Sequence, residues 1–224
     1  MAGLTTPTER YGLREVLLAT AVVLVALPFA FLAYQVRRNS GLVDWDTSLA
    51  DWLHRHMRDN RPLTVAMETA SFVGSAPFLV PVIGGTALWA ARWSRKIAIF
   101  LVVTCLGGSL VNTLAKGVVD RARPVFDDPI VTELGKSFPS GHAMGSLICY
   151  GALLVVLLPR MPARFRTPVV VATAALVAVI GFSRLALGVH YLSDVLAGFI
   201  LGAAWLIGSV ELFGLWRRED RASN

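Results

Sequence analysis

Six uncharged stretches, 16–36, 69–91, 97–115, 137–159, 167–183 and 195–210, take up more than half of this chain of 224 residues. Each runs for 16 to 23 positions without a Lys, Arg, Asp or Glu, close to the roughly 20 apolar residues a helix needs to cross the hydrocarbon of a bilayer. No water reaches the backbone there, so a spanning segment must satisfy its own amide groups, and a helix does so locally. A barrel would need strands that alternate apolar and polar residues, whereas these runs are continuous. The chain is 55% hydrophobic and 16% charged, with a mean hydropathy of +0.61, which leaves no material for a second domain. The sequence therefore predicts an all-α polytopic membrane protein: six transmembrane helices in a single domain over 1–224. The last two runs are short for a crossing and are expected to extend through Leu185 and Leu187, and through Leu212 to Trp216.

A net charge of +6 would suit a nucleic-acid partner, but the cations sit in short clusters between apolar runs, where they orient the spans. Arg10 and Arg14, Arg92, Arg95 and Lys96, Arg160, Arg164 and Arg166, and Arg217, Arg218 and Arg221 fall on one side. The other side spreads its Lys and Arg through longer loops rich in acids. Short basic loops stay cytoplasmic, so both termini are predicted cytoplasmic and the connections 37–68, 116–136 and 184–194 extracytoplasmic. The bilayer is the expected surrounding, with no nucleic-acid partner; oligomeric state is not fixed by the sequence. The first run is longer than a signal-peptide core and lacks a clear A-x-A site, so it reads as a retained anchor. Cys105 and Cys149, each within an apolar run, read as small buried hydrophobes, and Gly198 with Gly202 as a close helix contact.

Within 37–68, Leu49, Trp52, Leu53 and Met57 recur at helical spacing opposite Asp51, Arg55 and Arg58, the pattern of an interfacial helix between spans 1 and 2. Segment 46–58 fits either a lipid entrance or a plain connector. His54 and His56 within it read as interfacial or solvated, and Asp120, Arg121, Asp127, Asp128 and Glu133 as loop charges.

The extracytoplasmic connections carry the polar chemistry. Lys116 precedes Arg123-Pro124; then come Pro139-Ser140-Gly141-His142, Ser183-Arg184, and His190 with Asp194 four positions on. Singly, a Lys or Arg at a helix end snorkels, Pro-Ser-Gly makes a turn and cap, and His190 with Asp194 makes a structural pair on one helical face. Eleven such positions in this order and at one membrane face are not an accident of composition. The set suits a phosphoryl group, whose charge lies on peripheral oxygens. Lys116, Arg123 and Arg184 can cradle it, Arg in bidentate fashion, and Ser140 and the Gly141 N–H at the start of the fourth span add donors and the positive end of a helix dipole.

These three motifs resemble those of the type 2 phosphatidic acid phosphatase superfamily, and all eleven positions match. The resemblance covers 116–194 by motif and most of the chain by layout. It implies a bacterial inner-membrane lipid phosphatase that removes a terminal phosphate from undecaprenyl diphosphate, phosphatidylglycerophosphate or phosphatidate. It implies further that His190 is the nucleophile forming a phosphohistidine, that Asp194 holds its other ring nitrogen, and that His142 is the general acid and then the base. No cofactor and no metal are implied, and no carboxylate cluster suited to a two-metal site is apparent. The same motifs would serve a phosphotransferase with a hydroxyl acceptor; an anion transporter would also place charges near helices but does not call for the histidine and aspartate arrangement.

Overall fold

The computed structural model describes residues 25–222. Among them five helices are long and apolar enough to cross a membrane, Arg61–Ala91, Arg95–Val119, Gly141–Arg160, Ala163–Ala186 and Leu192–Gly214, and a shorter apolar helix, α1, runs Val25–Arg37. The fold is all-helical, as the apolar runs require. Residues 16–24 of the first expected span, and the anchor reading that depends on them, lie outside the described residues, as do Arg10 and Arg14.

After α1 come α2 (Gly41–Met57), α3 (Arg61–Val73), α4 (Ala76–Ala91), α5 (Arg95–Val119), α6 (Gly141–Leu157), α7 (Ala163–Ala186) and α8 (Leu192–Ala222). The second span starts at Arg61, earlier than its uncharged run, because Asn60 caps α3 by accepting the Leu63 N–H at 3.2 Å. It breaks at Gly74, where a Cβ would stand 2.3 Å from Cγ2 of Ile180 on α7. The last two helices extend past the C-terminal ends of their runs as expected, α7 to Ala186, one residue short of Leu187, and α8 to Ala222, and both also begin before their runs.

α6 is the hub and packs against α4, α5, α7 and α8. Leu79, Ile83, Phe100, Leu101, Cys149, Ala152 and Val156 form the largest buried cluster, shared by α4, α5 and α6. In lipid, close packing rather than transfer from water holds helices together, so small residues mark the tightest contacts. Gly198 and Gly202 do so: a Cβ on Gly198 would lie 2.7 Å from the Ser140 carbonyl, and one on Gly202 3.2 Å from the Met144 carbonyl. On the outer side of α5, Leu106, Leu110, Leu114 and Val118 make an exposed stripe one turn apart, the face that meets acyl chains in a spanning helix.

α2 buries Asp46, Ala50, Leu53, His54 and Met57 and turns Trp45 and Trp52 outward. The apolar face expected of an interfacial helix is thus divided, with Leu53 and Met57 turned to the bundle and Trp52 outward. His54 is buried, not solvated. It stacks on Phe126 at 4.0 Å and lies 3.2 Å from Asp128, and the inward face of α2 is mixed because the loop below supplies partners for its polar residues.

Candidate active site

Backbone geometry brings 116–194 to one end of the bundle. Asp120, in the left-handed region at φ 56°, ends α5 one turn after Lys116 by donating its N–H to the Lys116 carbonyl at 3.1 Å. The chain then passes Arg121 and Arg123 and returns when the Ser137 N–H donates to the Arg121 carbonyl at 2.8 Å. Ser140 caps α6 through its hydroxyl, which accepts the Ala143 N–H. Its own N–H donates to the Asp194 carbonyl at 2.9 Å, tying the starts of α6 and α8 together. At the end of α7 the Arg184 carbonyl receives the N–H groups of Val189 and His190 at 3.2 and 3.3 Å. The reversal passes through Gly188 at φ 71°, where a Cβ would also meet the Phe126 ring at 2.9 Å.

His190 sits in that turn, two residues before α8, not on a shared helical face with Asp194 as the spacing of four predicts. The turn still joins them: Nδ1 of His190 is 3.4 Å from Oδ2 of Asp194, and Ser137 Oγ is 3.4 Å from the same nitrogen. On the other side of the ring, Nη1 of Arg123 is 3.0 Å from Nε2. A guanidinium has no acceptor, so Nε2 carries the lone pair and the proton resides on Nδ1, toward Asp194. Burial pushes the imidazole down to about 4; Asp194 pulls the other way, and Arg123 and Arg184 add to the lowering. At neutral pH His190 is an uncharged base with its lone pair facing the cations.

Asp194 is fully buried and has partners on both oxygens. Oδ1 accepts from Nη1 of Arg121 at 2.8 Å. Oδ2 accepts from the Tyr191 N–H at 2.8 Å and from the Ser137 hydroxyl.

Arg123 and Arg184 face each other across Glu133. Nη2 of Arg123 is 3.1 Å from one carboxylate oxygen of Glu133, and Nη2 of Arg184 donates to the other. Arg184 also donates to the Ser71 hydroxyl, and Arg123 to the Val189 carbonyl at 2.8 Å. Burial favours the neutral acid at Glu133, but Arg184 and Arg123 outweigh it and hold the carboxyl below the usual range. The Nε atoms of both arginines are buried without a hydrogen-bond partner, so the cradle keeps donors to offer. Lys116 is half-buried, donates to the Lys136 carbonyl, and lies in electrostatic range of Arg123, Asp194 and Glu133. His142, half-buried in the first turn of α6, is in such range of Arg184, Glu133, His190 and Arg123.

An apolar cavity of about 500 Å³ runs from Gly141, His142 and Asn112 down between α4, α5 and α6, walled by Leu79, Val80, Ile83 and Ile148. The free thiols of Cys105 and Cys149 also line it.

All eight residues singled out from the sequence lie at this end of the bundle. Sequence reading missed five others, Glu133 among them. Ser137, Arg121, Ser193 and Asp46 are all buried and bonded to Asp194 or to one another. Arg121 could have been suspected from its alternation with Arg123, and Asp46 from its place one turn before Ala50 on the apolar side of α2. Glu133 carries no local signal, since its partners are 10 and 51 positions away.

Membrane helices that converge two histidines, an aspartate and three cations at one end define a recognisable class. The chain belongs to the PAP2 superfamily, which residues 96–218 match. Phosphatidylglycerophosphatase B of Bacillus subtilis (strain 168) is 31% identical over 146 residues, 62% of this chain and 70% of that protein. The crystal structure of the first transmembrane PAP2 type phosphatidylglycerolphosphate phosphatase from Bacillus subtilis superposes with a TM-score of 0.76 at 26% identity, covering 85% of this chain and 94% of that one. Aquifex aeolicus LpxE shares the fold at a TM-score of 0.57 and 19% identity, over 73% of this chain and 93% of that one.

Proposed function

We propose that the protein is an integral-membrane lipid phosphatase acting through a phosphohistidine. The observation that carries the reading is the His190 ring with its Nε2 lone pair turned to Arg123, beside two guanidinium Nε groups that lack acceptors. Nε2 attacks phosphorus; the N–P bond forms as the P–O bond to the lipid breaks, and His142 gives that oxygen its proton. Water then attacks phosphorus, loses its proton to His142, and the N–P bond breaks to free phosphate and His190. Lys116, Arg123 and Arg184 hold the phosphoryl oxygens throughout, with Ser140 and Gly141 at the helix start. The three cations fit an oxyanion directly, and the nearby carboxylates Asp194, Asp46 and Glu133 are each bonded to guanidinium groups. Turnover is accordingly expected to need no metal.

The substrate is an amphiphile whose chain occupies the cavity beside His142, where each buried methylene contributes about 0.8 kcal/mol. Phosphatidylglycerophosphate is favoured by the Bacillus relatives, with phosphatidate and undecaprenyl diphosphate as the other candidates. The basic connections 92–96 and 160–166 lie at the bundle end opposite the site and meet there, with Arg160 3.8 Å over the Trp93 ring. With those loops cytoplasmic, both termini are cytoplasmic and the site opens on the extracytoplasmic side of the inner membrane.

The test is phosphate release in detergent micelles from the three lipids, compared by kcat/KM with and without chelator. Release that His190→Ala abolishes and chelator leaves intact is expected. Loss of turnover on chelation with recovery in magnesium would overturn the metal-independent route, and undiminished release by His190→Ala would overturn the nucleophile.

A further inference from the structure

Asp46 belongs to α2, the helix at the bundle surface that precedes the spans carrying the site, yet it is 3% exposed. A carboxylate that deep needs partners, and it has three donors. Nη2 of Arg121 donates to Oδ2 at 2.9 Å, the Ser193 N–H donates to Oδ1 at 3.1 Å, and the Ser193 hydroxyl donates to Oδ2. The same Arg121 donates through Nη1 to Ser193 Oγ at 2.7 Å and to Oδ1 of Asp194 at 2.8 Å. Its guanidinium carbon lies 4.0 Å from the centre of the Tyr191 ring. One guanidinium fork thus spans two buried carboxylates, one on α2 and one beside His190.

Charge count makes this more than a clamp. If Arg121 faced Asp194 alone, the two would neutralise each other, and little negative field would remain for the positive charge that grows on His190 as the N–P bond forms. A second carboxylate leaves the trio with a net single negative charge. On the phosphate side Arg123 and Arg184 add positive charge near the ring and the Glu133 carboxylate is taken up in ion pairs with those two arginines, so the net negative charge facing His190 comes from the Asp194 side.

We infer that Asp46 is a positioning residue that, through Arg121, holds the Asp194 carboxylate in place and preserves its charge for His190. This rests on the reading of His190 as the nucleophile.

The test uses the full chain in detergent: kcat, KM, the inhibition constant of inorganic phosphate and the melting temperature for Asp46→Asn, Asp46→Glu, Arg121→Lys and His190→Ala. Asp46→Asn keeps the shape and removes the charge. Its kcat is expected to fall about 10- to 100-fold, by analogy with the outer partners that orient metal-ligating histidines, with KM and phosphate inhibition within about twofold of the parent. Asp46→Glu, which restores the charge, should recover part of the loss. Arg121→Lys keeps a cation but loses the fork, and is expected to lower kcat with KM unchanged; it carries the test if Asp46→Asn does not accumulate. Undiminished kcat in a folded Asp46→Asn or Arg121→Lys protein would overturn the inference. So would equal losses in kcat, phosphate binding and melting temperature with no recovery in Asp46→Glu, the signature of a purely structural pair. An active His190→Ala would instead overturn the reading beneath it.

Discussion

Nη1 of Arg123 stands 3.0 Å from Nε2 of His190, and the relationship fixes the tautomer because only the imidazole can accept. The Nδ1 proton then points to Asp194. Asparagine at 194 would present an amide that can donate to Nδ1, favouring the opposite tautomer and turning the lone pair away from the cradle. Asp194→Asn is expected to lower kcat by about 10³- to 10⁴-fold, the scale known where a buried aspartate orients a catalytic imidazole. Steady-state phosphate release is the measurement, and a loss confined to KM would count against the assignment.

Burial holds His190 at about 4 against an ordinary 6.5, which sets two pH dependences. The nucleophile is competent when neutral, so the acid limb of kcat/KM should fall near pH 4 rather than 6.5. For stability, the folded value is depressed, so between 6.5 and about 4 the unfolded chain binds more protons than the fold. Stability is therefore full above this window, drops as pH falls through it, and levels off below. His190→Gln should flatten the dependence of melting temperature across that window. An acid limb near 6.5, or a His190→Gln protein with the parent slope, would contradict this.

The fold was legible where physics is local. Continuous apolar runs dictated helices, and Gly198 with Gly202 pointed to a close helix contact, whose partner α6 only the structure supplies. The residues proposed to hold the phosphoryl group were legible because their motifs are short and local: Lys116 sits in the last turn of α5, Ser140 and Gly141 start α6, and Arg184 is in the last turn of α7. What the sequence hid depends on convergence in space. Asp46 and Arg121 are 75 positions apart, and their pairing is decided by how α2 lies over the loop. The turn at Gly188 likewise supplies the His190–Asp194 contact that helical spacing seemed to explain. Which apolar residues of α2 turn to the bundle and which, like Trp52, turn outward is not encoded in their spacing, because beside a bilayer an apolar side chain can face lipid as readily as the core.

Glu133 bridges Arg123 and Arg184, the two cations proposed to hold the phosphoryl oxygens. Its carboxyl stays ionised at neutral pH because those arginines hold it below the usual range. A phosphate entering the cradle must take over these charge-assisted contacts. Glu133→Gln removes the competing charge and is expected to tighten inhibition by inorganic phosphate by roughly tenfold, the scale of one charge-assisted hydrogen bond. Inhibition constants measured at pH 7 decide it; weaker inhibition in the variant would mean that the carboxylate organises the arginines instead of competing for them.

Gly84 lines the apolar cavity, and a Cβ there would meet nothing within 4 Å. A larger side chain can therefore enter the space without moving the backbone, and α4 gains helix propensity from the change. If the cavity holds the lipid chain, Gly84→Leu displaces a few methylenes at about 0.8 kcal/mol each. The expected result is a loss of kcat/KM on the order of tenfold for a long-chain lipid phosphate. A short-chain, water-soluble analogue should be hydrolysed as by the parent, because the cations and His190 are untouched. Parallel kinetics on the two substrates separate the cases: equal loss on both would point to a disturbed site, and no loss on either would place the chain elsewhere.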